Sequence, residues 1–176
     1  MEGRIDFRAL MLGVLAHMVT ALTVGLVAGL ALYGSLLMPF FNRIMAGASS
    51  GKTMTPAQTT QLSNQMAAQL QAAMTTPPAL LISIAVGVLA LLAGGYVTAN
   101  YARGAESKNA MALGGAYAIY NALGLAVSLA TPVALARVPL WPQIVLMILA
   151  IPVTMAGAAL RVSGQRENGA PPNDIT

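Results

Sequence analysis

LLISIAVGVLALLAGGYVTANYARGAESKNAMALGGAYAIYNALGLAVSLATP, residues 80–132, decides the fold. It reads as two apolar helices joined by a short charged turn, Arg103-Gly104-Ala105-Glu106-Ser107-Lys108. The first runs from Ala79 to about Ala102 and the second from about Asn109 to Thr131, each close to the roughly 20 residues that cross a hydrocarbon core. Ser83, Gly87, Ala90, Gly94 and Val97 follow a 4-3-4-3 spacing on the first. Gly114, Tyr117, Asn121, Gly124 and Ser128 follow a 3-4-3-4 spacing on the second. Such spacings lay out one seam on a helix. Small residues on a seam permit close approach where apolar burial supplies little drive between helices in lipid. The short turn predicts antiparallel neighbours.

The rest of the chain agrees with a membrane solvent. Of 176 residues, 57% are hydrophobic and 8% charged, whereas soluble domains carry roughly a quarter charged. Mean hydropathy is +0.71. With so few charges the chain cannot cover a water-facing surface, and one bundle of a few spans fits its length. There is no Cys, which excludes disulfides, Cys-ligated metals and thiol chemistry. The net charge is +4, but the nine basic residues are scattered singly near span ends. That pattern fits anchors facing lipid phosphates and argues against nucleic acid as a partner.

Upstream, Ala9 to about Met38 is a first apolar run behind Arg4 and Arg8. It is about twice the length of a signal-peptide core, so it reads as an uncleaved span. Gly25 and Gly29 form a G-x-x-x-G pair, with Ala21 one turn earlier, that would admit a neighbouring helix. Pro39 to Pro78 is the only long polar stretch. In it, Thr55-Pro56-Ala57-Gln58 predicts a helix start with a capping box. Leu62, Met66, Leu70 and Met74 then recur every four residues, and Thr75-Thr76-Pro77-Pro78 stops the helix. An amphipathic helix over 56–74 follows. With no charge on its polar face, it suits the mouth of the bundle or a partner better than anionic lipid.

Downstream, a Pro-rich connection leads to Trp141, placed as an interfacial anchor. The last span covers about 143–160, with Pro152 expected to kink it. Residues 163–176 have no apolar period and read as a disordered tail, leaving residues 1–162 as one membrane domain. Four spans put both termini on one side. Arg4, Arg8, Arg103, Lys108, Arg161 and Arg166 share that side, against Arg43, Lys52 and Arg137 on the other. The positive-inside rule makes it the cytoplasm.

Candidate chemistry is sparse. Ala46 to Thr53, AGASSGKT, fits a relaxed P-loop pattern. It lacks the strand before it, the αβ domain after it and a nearby Asp, so it reads as a flexible loop with no nucleotide. His17 is the one ionisable side chain deep in a span, and no charged group lies within a span beside it. It reads as a neutral His hydrogen-bonded to a neighbouring helix, with a ligand or proton role as the sharper alternative. Tyr117, Asn121 and Ser128 share a face, and Asn121 is expected to bond across a helix interface; a substrate-binding stripe is the alternative. Eleven methionines raise Cu(I), but tight Met-x-Met clusters and nearby His are missing. The five acids lie in the termini and the central turn. Neither a metal site, a cofactor site nor a catalytic constellation is expected, so the chain does not read as an enzyme.

Gly94-Gly95-Tyr96-Val97-Thr98-Ala99-Asn100-Tyr101-Ala102-Arg103, then a polar turn and a Gly-rich span, resembles a hairpin of small uncharacterised bacterial inner-membrane proteins. The resemblance covers about a third of the chain. It implies four spans and a bacterial inner membrane, and no activity. The expectation is therefore an all-α, integral membrane four-helix bundle with both termini cytoplasmic and one amphipathic helix in the first outer loop. The expected role is a structural or interaction subunit that self-associates or joins other membrane proteins. The alternative is a small oligomeric transporter or channel component using His17 and the Tyr117-Asn121-Ser128 face.

Overall fold

The computed structural model describes residues 4–49, 55–102, 104–130 and 139–167. Among them are five helices: α1 Phe7–Ser49, α2 Pro56–Met74, α3 Pro77–Tyr101, α4 Glu106–Ala130 and α5 Trp141–Glu167. All but α2 are long and apolar enough to cross a membrane, the pattern of a multi-pass membrane protein.

Local chemistry sets the helix ends. Asp6 Oδ1 accepts from the N–H groups of Arg8 (2.9 Å) and Ala9 (3.2 Å), taking up two of the donors that a helix start leaves free. Thr55 and Gln58 form the reciprocal capping box, with Pro56 in the first turn where its missing N–H costs nothing. Only Thr75 and Thr76 separate α2 from α3, which again starts on Pro. Between α3 and α4 the Ala105 N–H donates to the Ala102 carbonyl (3.0 Å). There Gly104 has φ +76, a conformation that suits a residue without Cβ.

Two sequence boundaries move. The first helix does not end at Met38 but runs through Pro39 to Ser49. Proline cannot donate to the Ser35 carbonyl, yet the apolar residues Phe40, Phe41, Ile44 and Met45 continue the helix on its far side. Ala46–Ser49 of the P-loop-like stretch is thus helix end, and residues 50–54 lie outside the described residues. The last helix also continues past Leu160 to Glu167, so the first residues of the tail expected to be disordered are helical. Ser163 Oγ bonds back to the Leu160 carbonyl in that turn, and residues 168–176 lie outside the described residues.

The packing centre is α3. Its most extensive contacts are with α5 and α1, and α4 lies chiefly on α5. The seams read on α3 and α4 therefore do not mate mainly with each other, as the short turn suggested. Gly87 faces Leu146 of α5, while Gly94 faces Gly13 and His17 of α1. Gly114 faces the α5 backbone at Ala150 and Ile151. The reason lies in α5, whose Ala150, Thr154, Gly157 and Ala158 are all buried small residues that receive both α3 and α4. The core is correspondingly fine-grained: Ala99, Ala110 and Ala158 meet where α3, α4 and α5 converge.

One end of the assembly is tied by polar bonds. Asp6 N–H donates to Asn109 Oδ1 (2.8 Å), joining the start of α1 to the start of α4. Arg161 Nε donates to Asn100 Oδ1 (2.6 Å), joining α5 to the end of α3. The start of α1 and the last turns of α5 therefore share an end.

Candidate functional site

α1 and α4 are flanking helices that touch each other sparingly. Between them lies a cleft of about 480 Å³. Val14, His17, Met18, Ala21 and Leu22 of α1 form one wall. Leu113, Ala116, Tyr117 and Tyr120 of α4 form the other. Apart from His17 and the two tyrosines the lining is apolar, and no charged side chain contributes to it.

The helix spacing explains why these residues meet. His17 stands one turn after Gly13, whose missing side chain lets α1 settle on α3. A Cβ at Gly13 would overlap Thr98 Oγ1 and come within 2.9 Å of the Gly94 carbonyl. The His17 Cβ is itself 3.3 Å from where a Gly94 Cβ would stand. Tyr117 lies four residues beyond the buried Leu113 of α4. The two rings come together with centroids 4.1 Å apart and planes inclined by 31°. The Ala90 carbonyl is near enough to act on the imidazole, yet His17 Nδ1 is buried without a hydrogen-bond partner, as is the Tyr117 hydroxyl. At Nδ1 the expected bond to a neighbouring helix is not made; the Ala90 carbonyl of α3 acts on the imidazole, and the Tyr117 ring lies against it.

The remaining sequence candidates separate. Asn121 Nδ2 donates to the Tyr117 carbonyl of its own helix (2.9 Å), and Ser128 Oγ to the Gly124 carbonyl (2.9 Å). Asn121 thus bonds one turn back along its own helix rather than across an interface. A Cβ at Gly25 would stand 3.9 Å from Val86 Cγ1, an ordinary contact, whereas one at Gly29 would meet nothing within 4 Å. The expected close approach at the G-x-x-x-G pair is not made by any described helix of this chain. Gly87 and Gly94 do stand at helix contacts.

Several structural polar residues were not singled out from sequence. Thr98, Asn109 and Thr154 are fully buried. Thr154 Oγ1 turns back to the Ala150 and Ile151 carbonyls, and Asn109 Nδ2 to Ala105. The usable signal was small residues at helical spacing around them: Gly94 one turn before Thr98 and Gly157 close to one turn after Thr154. Among the described residues no group of His, Asp and Glu is gathered to hold a metal ion. Searches against known protein families, curated proteins and solved structures find no match to the chain.

A second depression, of about 650 Å³, runs along α2 over Ala57, Thr60, Gln61, Asn64, Gln65 and Ala68. No charged residue occurs anywhere in α2, and none of its side chains is buried.

Proposed function

We propose that the chain is a multi-pass protein of a bacterial inner membrane that serves as a structural or interaction subunit of a membrane assembly. Arg4, Arg8 and Lys108 lie at the end tied by Asn109 and Asn100, which on the positive-inside rule faces the cytoplasm with both termini.

One observation carries the interaction role. At 1.5 Å per residue the 43-residue α1 is about 65 Å long, against roughly 40–45 Å for a bilayer with its headgroups. Its far end carries uncovered Met38, Phe41, Ile44 and Met45, the last 67% exposed. Beside it the amphipathic α2 turns Leu62, Met66 and Leu70 partly inward and leaves its amide face uncovered. Apolar surface beyond the lipid, next to an uncharged amide face, suits a protein neighbour better than water or lipid phosphate.

Extraction in native nanodiscs, followed by native mass spectrometry and photocrosslinking from Phe41 and Gln61, tests this role. A discrete complex crosslinked at both positions is expected. A monomer with neither crosslink would refute it. A second reading, a small oligomeric transporter or channel component, is favoured by the His17–Tyr117 contact at the α1–α4 cleft. Solute flux in vesicles that is lost on Asn121→Leu, with the fold retained, would support that reading.

A further inference from the structure

We infer that the α1–α4 cleft is a binding site for a neutral, lipid-soluble ligand with a flat, oxygen-bearing ring, of the quinone or quinol class. The inference stands apart from the interaction role and needs only that α1 and α4 lie in the membrane.

The first argument is position. His17 is about 13 Å along α1 from Arg8, so it sits well within a hydrocarbon core of roughly 30 Å that begins near Arg8. At that depth water does not supply missing hydrogen bonds, and each unpaired polar group is costly. Two such groups, His17 Nδ1 and the Tyr117 hydroxyl, belong to two rings in tilted contact that help line one cleft. Thr98 Oγ1 and Gln143 Oε1 are also buried without partners, but neither residue lines the cleft; at His17 and Tyr117 a bound ligand can supply the missing bonds.

The second argument is the chemistry of the lining. Tyr117 offers a hydroxyl donor, and neutral imidazole offers a donor or an acceptor according to tautomer. Ketone or hydroxyl oxygens on a ligand satisfy both. The cleft has no charged side chain, so a phosphate, carboxylate or ammonium head would be left unpaired. Two aromatic side chains packed together favour a flat ring beside them. Met18, Ala21, Leu22 and Ala116 provide apolar walls for a tail. The volume of about 480 Å³ falls within the range of roughly 300–1,000 Å³ for small-molecule sites. Nδ1 and the hydroxyl are covered as the rings now stand, so binding turns one or both rings into the cleft.

The test uses purified full-length protein in nanodiscs of defined lipid and a benzoquinone with a decyl tail. Binding is measured by equilibrium dialysis and mapped with a photoreactive form of the same quinone. Saturable one-to-one binding is expected, with labelling at Met18, Leu22, Ala116 or Tyr120. Tyr117→Phe and His17→Leu should each weaken it about tenfold, the scale of one hydrogen bond in a dry site. Leu129→Ala, on an exposed surface away from the cleft, should leave it unchanged. Thermal unfolding of each variant confirms that the fold is kept. Where Tyr117→Phe unfolds the protein, competition by a ring lacking both oxygens takes its place and should fail. Equal occupancy by a plain decyl chain would show an acyl groove only and overturn the proposal. So would non-saturable binding, or binding that both variants leave intact.

Discussion

Replacing Gly157 by Ala should separate α3 from α5, and the size of the effect follows from what the new methyl meets. A Cβ at Gly157 would overlap the Leu92 carbonyl oxygen and stand 3.0 Å from the Tyr96 nitrogen. The opposing Gly95 is in the same position, since its Cβ would overlap the Thr154 carbonyl. These obstacles are backbone, so no rotamer change relieves them and the helices must part by about an ångström. A gap of that size forfeits a quarter to a half of the dispersion energy across the contact. Overpacking costs about 1–3 kcal/mol, and the upper end applies because this is the most extensive interface in the fold. The better helix propensity of Ala returns about 1 kcal/mol. The net is about 2 kcal/mol, or roughly 30-fold in the unfolding equilibrium. Gly29→Ala is the matched control, because nothing lies within 4 Å of its Cβ, and it should be neutral or stabilising. Unfolding in mixed dodecyl maltoside and SDS micelles, followed by circular dichroism, reads both. Gly157→Ala within about 0.5 kcal/mol of the parent protein would refute the close-contact argument.

Three further substitutions probe the helix ends and the long first helix. Asn109→Leu removes the acceptor of the Asp6 N–H, and should cost about 1–3 kcal/mol and speed amide exchange at Asp6 more than at the far end of α4. Thr55→Ala breaks the capping box at a cost of about 1 kcal/mol. Because α2 has no buried side chain to hold it, circular dichroism should show helix loss confined to a segment of its size, with α3 exchange unchanged. Pro39→Ala restores a donor to the Ser35 carbonyl and should slow amide exchange around residues 36–43; unchanged exchange there would mean the proline already costs the helix nothing.

Hydropathy runs made the helices legible, because they are a local property of the chain. The Thr55–Gln58 start of α2 was readable for the same reason: a cap needs only four consecutive residues. What failed was termination. Pro39 and the Ser163–Gly164 pair are ordinary helix-ending signals, yet α1 and α5 pass through them. A single unfavourable residue costs a few kcal/mol at most, and apolar residues on either side can outweigh it.

Partner choice among the helices was not legible, and one dipeptide shows why. Gly94 and Gly95 are adjacent, so they point about 100° apart around α3. Gly94 receives Gly13 and His17 of α1, while Gly95 receives Thr154 of α5. A single seam drawn through Gly87, Ala90 and Gly94 therefore assigns one partner to residues that meet two, α5 at Gly87 and α1 at Gly94, and leaves out Gly95 altogether. The same arrangement accounts for the candidate site. α5 holds α4 through Gly114, and α3 holds α1 through Gly94, so α1 and α4 are each anchored to something other than the other. Gly115 and Gly124 of α4 meet nothing within 4 Å. A gap between the two flanking helices follows from the tightness of the centre, and at it His17 meets Tyr117, while Asn121 and Ser128 of the same sequence face bond within their own helix. Such a contact can be found in sequence only when the partners of each helix are already known.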